Sequence, residues 1–248
     1  MAAHVAPYLA ANPVAARALA ALQALPGATV HIDHFAFRTF GAHGLGLEAV
    51  ARQWLDFGYE RRDALLFPAK RLRAFWFAPP PPLDGGDSHL PRVFVSEVDV
   101  PALSSGAQAI IAKYAERAEG LAPHAGTASL LRTPLWGAAS REDYEALAAE
   151  SEYAAWTLVN GNALNHATVA VHRLGARGLA SIEDVNTFVA AQGIALNTDG
   201  GLLKVSPDGL LRQSSTVADT WTCTFADGSS GTVPGAHAGT RAPLASRS

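Results

Sequence analysis

Apolar and polar positions alternate most clearly in two stretches, and both carry histidine. In Thr29-Val30-His31-Ile32-Asp33-His34-Phe35-Ala36-Phe37-Arg38-Thr39-Phe40, an extended chain sets Val30, Ile32, His34, Ala36, Arg38 and Phe40 on one face. From Asn162 to His172 the same period of two gathers His166, Thr168, Ala170 and His172. Shorter runs predict further strands at 59–64, 72–78, 92–98, 202–205, 210–217 and 220–225, with Asp208-Gly209 and Asp227-Gly228 as hairpin turns. Spacing of three and four predicts helices. Leu47, Val50, Trp54 and Leu55 form one stripe before Gly58, and Ile110, Ile111 and Tyr114 form another within 107–119. Ser140 followed by acids opens a helix to about Tyr153, and Ser181-Ile182-Glu183-Asp184 caps one running through Ala191. The Ala/Leu-rich segment from Pro7 to Leu25 is helical with a break at Pro13, and 121–134 reads as irregular. Pro79 to Pro82 with Gly85-Gly86 reads as a surface connector.

The two histidine strands also resemble one another. Ile32-Asp33-His34-Phe35-Ala36-Phe37 and Leu164-Asn165-His166-Ala167-Thr168-Val169 share an apolar residue, an Asp or Asn, and then His. Each leads into a helix ended by Gly, at Gly58 and Gly193, and then into several strands. The separation of 132 residues is too long for a solenoid. The expectation is an α+β fold of two strand-helix-strands modules, about 29–100 and 160–235, joined by a helical insert over 101–159. Together they close one curved sheet around a single site, with a His from each half pointing inward.

Composition narrows the partners. The formal charge is −3 with 17% charged residues, so nothing here neutralises a phosphate backbone, and nucleic acid is not expected. No run reaches the ~20 apolar residues of a membrane span, and the Ala-rich start lacks the basic, long-cored form of a secretion signal. Cys223 is the sole cysteine, which favours an intracellular location without separating cytoplasm from plastid. Oligomeric state is not legible.

The chemistry follows from the paired strands. Two imidazoles and one carboxylate leave open positions on a first-row metal, the arrangement of non-haem Fe(II) oxygenases. His34 and Arg38 stand about 13 Å apart along an extended chain, so a ligand and an anion clamp can share a pocket. Asp33 and Asn165 face the other way and read as orienting groups. His172 reads as peripheral, while His4, His31, His43, His89 and His124 have no matched partner and read as surface or hydrogen-bonding residues.

Longer blocks carry a family likeness. Ile32 to Gly41, Leu55-Asp56-Phe57-Gly58-Tyr59, Phe67-Pro68-Ala69-Lys70, Glu150 to Gly161 with Asn165-His166, Leu203 to Gly209 and Gln213 to Asp219 together resemble the DUF1338 family, especially its shorter plant-type members. The likeness runs from about Thr29 to Pro234. It implies a fold similar to the vicinal oxygen chelate sheet. It also implies an Fe(II)-dependent 2-oxoadipate dioxygenase/decarboxylase, which takes a small 2-oxo dicarboxylic acid and dioxygen to 2-hydroxyglutarate and carbon dioxide. On the matching positions, His34 and His166 correspond to metal ligands and Arg38 to the substrate-carboxylate arginine. The family's glutamate ligand has no counterpart: Gly239 stands at the aligned position, and the last Glu of the chain is Glu183. Asp219, Asp227 and His237 are alternative donors away from that position. The expected domain is 1–235, followed by an atypical, disordered tail over 236–248 that departs from the family as though the reading frame had changed. Two readings stand: a working dioxygenase, or an enzyme-like binding module impaired by the missing carboxylate.

Overall fold

The structure, a computed structural model, describes residues 2–42, 44–82, 89–121, 133–206 and 209–243, without the side chains of Ala2 and Ala3. The expected tip residues Gly85-Gly86 and Asp208, along with His43, His124 and most of 121–134, lie outside those ranges.

The β1 strand (Ile32–Phe40) is followed by α3 (Leu47–Asp56), β2 (Glu60–Phe67), β3 (Leu72–Ala78) and β4 (Arg92–Val98). The second half repeats the plan with β5 (Leu164–Ala170), α7 (Ile182–Ala191), β6 (Lys204–Val205), β7 (Leu211–Ser215) and β10 (His237–Pro243). All eight strands form one curled sheet in the order β2-β3-β4-β1-β5-β10-β7-β6. In each half the first strand pairs in parallel with the last, and the strand after the helix is pushed to the edge. The two halves join where β1 and β5 run antiparallel, with Ala36 opposite His166 and His34 opposite Thr168. The inferred repeat is therefore the architecture of the molecule.

One expectation fails here. The segment after Pro234 is not a disordered tail across its described length. β10 lies between β5 and β7, with His237 opposite His166 and Gly239 opposite both Thr168 and Ser215. Its small residues carry little strand propensity. Two flanking strands with open backbone groups impose the extended form, since buried amides must be paired. The second module consequently runs to Pro243, and the β8–β9 hairpin (Thr220–Thr224, Ser230–Pro234) is an excursion between β7 and β10.

Other boundaries shift for local reasons. The helix expected to about Tyr153 is two, α5 (Arg141–Glu150) and α6 (Glu152–Asn160), because the Ser151 side chain starts a new one by accepting from the Ala154 amide. The strand expected to reach His172 stops at Ala170, where a short turn leaves His172 exposed and off the shared face. The Pro13 break is observed between α1 (Ala2–Ala11) and α2 (Pro13–Gln23), and the Asp219 carboxylate accepts the Val14 amide at 3.1 Å to cap α2. Ser181 and Asp184 form a full capping box at α7.

Two apolar clusters hold the sheet. On its convex face Phe35, Phe37, Val95, Ala167 and Ala238 pack against Tyr8, Leu19, Trp54 and Val189 of the surrounding helices. At the Phe40 end, Leu72, Val98 and Phe40 pack against Ile111 and Tyr114 of α4 (Ser105–Arg117), Leu147 of α5 and Leu158 of α6. The helical insert therefore closes one end of the concave face.

Candidate active site

Alternation decides what reaches the concave face. Because Phe35, Phe37, Ala167, Val169 and Ala238 are committed to the convex core, His34, Ala36, Arg38, His166, Thr168, His237 and Gly239 are turned the other way. The His34 and His166 rings meet edge to face at 5.5 Å between centroids, and His166 stacks on His237 at 4.7 Å. The expected pair is thus a row of three imidazoles from three adjacent strands. His4, by contrast, packs against Phe37 and Trp54, and His31 stacks on His89 away from this row.

Each of the two matched histidines is oriented by the residue before it. His34 Nδ1 lies 3.4 Å from Asp33 Oδ1, and His166 Nδ1 lies 2.8 Å from Asn165 Oδ1. Asp33 is the stronger anchor, because it also accepts from Arg92 at 3.0 Å and Arg241 at 2.7 Å. Burial opposes its charge, but the hydrogen bond with His34 and the charges of His34, Arg241 and Arg92 outweigh that and hold the carboxyl far below its usual range. Burial, followed by the charges of His237, His34 and Arg38, pushes His166 well below the ordinary imidazole value. Burial, then Arg38, Lys204 and His34, lowers His237 to about 3. Both rings are neutral at physiological pH and keep a lone pair.

Arg38 comes from β1, two positions beyond Ala36, into the end closed by the helical insert. Its guanidinium lies 4.2 Å over the Tyr153 ring and 5.1 Å from that of Trp156. Burial lowers its pKa to about 10, partly offset by Tyr153 and Glu152, so it stays charged. Among the described residues it makes no ion pair. A half-buried cation held by two aromatic faces and turned toward neutral imidazoles is a receptor for an anion. Tyr153 and Trp156 lie within a recognised block, but the pattern gave them no task; their place on α6 beside Arg38 is a tertiary result.

The third donor is the weak corner. Gly239 offers no side chain, and a Cβ built there would meet Thr168 Oγ1 at 2.6 Å. That hydroxyl is 3.3 Å from His34 Nε2, occupying the nitrogen that a ligand would use. Asp219 is engaged at α2, and Asp227 accepts the Ser229 amide within the β8–β9 turn. His237 is the alternative donor that the fold brings to the site. No set of three His, Cys, Asp or Glu side chains among the described residues is arranged to hold a metal ion. The residues therefore supply the imidazole part of a two-histidine, one-carboxylate centre and do not fit the whole of it.

Comparison with known proteins agrees with this architecture. Residues 9–242 match the family model described as 2-oxoadipate dioxygenase/decarboxylase. The chain is 48% identical over 232 residues to the chloroplastic 2-oxoadipate dioxygenase/decarboxylase of Arabidopsis thaliana, covering 92% of this chain and 62% of that protein. The chloroplastic/amyloplastic enzyme of Oryza sativa subsp. japonica is also 48% identical, with 63% of its length covered, so the chain spans less than two thirds of both relatives. The crystal structure of hydroxyglutarate synthase with 2-oxoadipate from Oryza sativa superposes with a TM-score of 0.91 at 46% identity, over 97% of this chain and 78% of that one. A Ralstonia eutropha structure named for the glyoxalase superfamily shares the fold, with a TM-score of 0.73 at 22% identity over 96% of this chain and 79% of that one.

Proposed function

The chain belongs to the 2-oxoadipate dioxygenase/decarboxylase family, and from that premise we propose that its concave face binds 2-oxoadipate or a near relative for the family's oxidative decarboxylation. The observation that carries the reading is Arg38, a half-buried guanidinium without an ion-pair partner among the described residues, stacked on Tyr153 and facing His166 and His237. One substrate carboxylate would lie on Arg38 through charge-assisted hydrogen bonds, directing the rest of the 2-oxo acid along the imidazole row. Asp33 and Asn165 fix the ring orientations that the row presents. Fe(II) is the proposed cofactor, with His34 and His166 as its imidazole donors and dioxygen as co-substrate. When bound, iron supplies dioxygen activation. The described residues do not complete its donor set.

A second reading rests on Gly239. With Thr168 on His34 Nε2 and no carboxylate at position 239, the site binds the 2-oxo acid without turning it over. Loss of even an outer-shell partner costs roughly 10- to 100-fold in metal affinity, and loss of a direct donor costs more. Bound iron and oxygen consumption with 2-oxoadipate separate the readings. Oxygen consumption by the iron-loaded chain supports the enzyme; 2-oxoadipate binding without iron uptake supports the binding module. Arg38→Ala is expected to keep whatever iron the wild type holds and lose the acid, while His166→Ala loses the iron. Equal 2-oxoadipate affinity in Arg38→Ala and wild type would overturn the substrate assignment.

A further inference from the structure

The helical insert closes the concave face at the Arg38 end, where Phe40, Leu72 and Val98 pack against Ile111, Leu147 and Leu158. The other end is reached by following the strands past His34. Val93, Val169 and Ala242 are committed to the convex core, so Arg92, Ala170 and Arg241 are turned to the concave side. Arg92 sits opposite His34, and Ala170 lies two residues beyond Thr168, whose hydroxyl is 3.3 Å from His34 Nε2. The register shift between Ile32 and His34 breaks the alternation there and lets Asp33 meet Arg92 and Arg241 on the same side. A cavity of about 260 Å3 lies at this end, bounded by Ile32, Asp33, Arg92, Ala170, His172 and Arg173. Asp33, with Oδ1 3.4 Å from His34 Nδ1, is the wall that the cavity shares with the imidazole row.

The charge of this cavity is set at Asp33. It is the one acid on the cavity wall among the described residues, and it is shared by Arg92 at 3.0 Å and Arg241 at 2.7 Å. Two guanidiniums on one carboxylate leave a positive charge in excess, and Arg92 presents it to solvent as an exposed side chain. The turn Val171–Arg173 after β5 brings the exposed His172 to the rim beside it. The molecule as a whole carries a formal charge of −3, which repels an incoming dianion. A concave region lined by the opposite sign offsets that repulsion locally and raises the concentration of anions at its opening.

Building on the proposed substrate, we infer that this cavity is the mouth through which the dianionic 2-oxo acid reaches the imidazole row, and that the excess positive charge at Asp33 draws it in. The acid then moves from the basic mouth, past His34, toward Arg38 at the closed end. Arg92 and its surroundings act on the rate of arrival, whereas Arg38 holds the bound acid. Charges at a rim change association and its salt dependence, and direct contacts change dissociation, so the two roles are separable.

The test is stopped-flow tryptophan fluorescence of the full chain with 2-oxoadipate under nitrogen, which follows arrival at the inner end because the Trp156 ring lies 5.1 Å from Arg38. His172 is the position to vary, since it is exposed, lies on the rim and takes no part in the row. At about 0.01 M salt, where the Debye length is roughly 30 Å, His172→Glu is expected to slow association about threefold and His172→Lys to speed it by a similar factor, with dissociation unchanged. At about 1 M salt, where that length is roughly 3 Å, both variants are expected to associate at the wild-type rate. Equal association rates for His172→Glu and His172→Lys at low salt overturn the inference while the substrate assignment stands, and so does a difference that persists at high salt. If wild type shows no binding of 2-oxoadipate by fluorescence or by calorimetry, the assignment falls and this inference with it.

Discussion

Removing β10 tests the correction to the second module most directly. A chain ending at Gly235 keeps every block that resembles the family but deletes a strand paired over five residues with β5 and five with β7. At about one ladder bond per residue pair, and roughly 1 kcal/mol net for each, the deletion removes on the order of 10 kcal/mol. Domain stability is itself only about 5–15 kcal/mol. The Tyr8 hydroxyl also loses its 2.5 Å bond to the His237 carbonyl, and Asn12 its 2.9 Å bond from the Ala236 amide, which loosens the α1–α2 corner. The truncated chain is expected to lack a cooperative thermal transition by near-ultraviolet circular dichroism. A point variant gives a graded version. Ala238 is 6% exposed in the convex core, so Ala238→Asp buries an unpaired carboxylate and is expected to cost at least about 4 kcal/mol. That lowers Tm by roughly 10 °C or more for a domain of this size. If both proteins melt cooperatively within about 2 °C of wild type, β10 is not the integral strand described above.

Three further outcomes are expected. Trp54→Ala, at a side chain packed against His4, Phe37 and Tyr59 in the convex core, should destabilise by about 3–5 kcal/mol in denaturant titration; a loss under about 1 kcal/mol would contradict its core placement. Ser181→Ala removes one half of the α7 capping box and should cost about 1 kcal/mol, while Thr187→Ala on the exposed side of the same helix should cost less. Burial opposes the Asp143 charge, but hydrogen bonds from Lys113, Tyr114 and Ser140 lower its pKa below the ordinary carboxylate value. Its stabilisation is therefore present above that ordinary value and lost as pH falls through the lowered one. Asp143→Asn should be less stable than wild type at neutral pH and converge with it in acid, and a stability gap that does not narrow on acidification would refute this.

Much of this protein was legible because short-range rules decide it. Period-two alternation with an Asp-His or Asn-His pair marked β1 and β5, whose neighbours reproduce the two-module plan, and Ser140 and Ser181 marked helix starts through bonds closed within three residues. The internal repeat was readable because each half solves the same packing problem with the same order of elements. Tertiary structure alone decided β10: Ala238, Gly239 and Ala242 have neither strong strand propensity nor a telling pattern, and the open edges of β5 and β7 make them a strand. It also brought His237 to His166, Thr168 to His34, and Lys70 and Arg38 to one ring of α6. Those contacts join residues distant in the chain, so their chemistry depends on sheet register and helix packing, which no local pattern encodes.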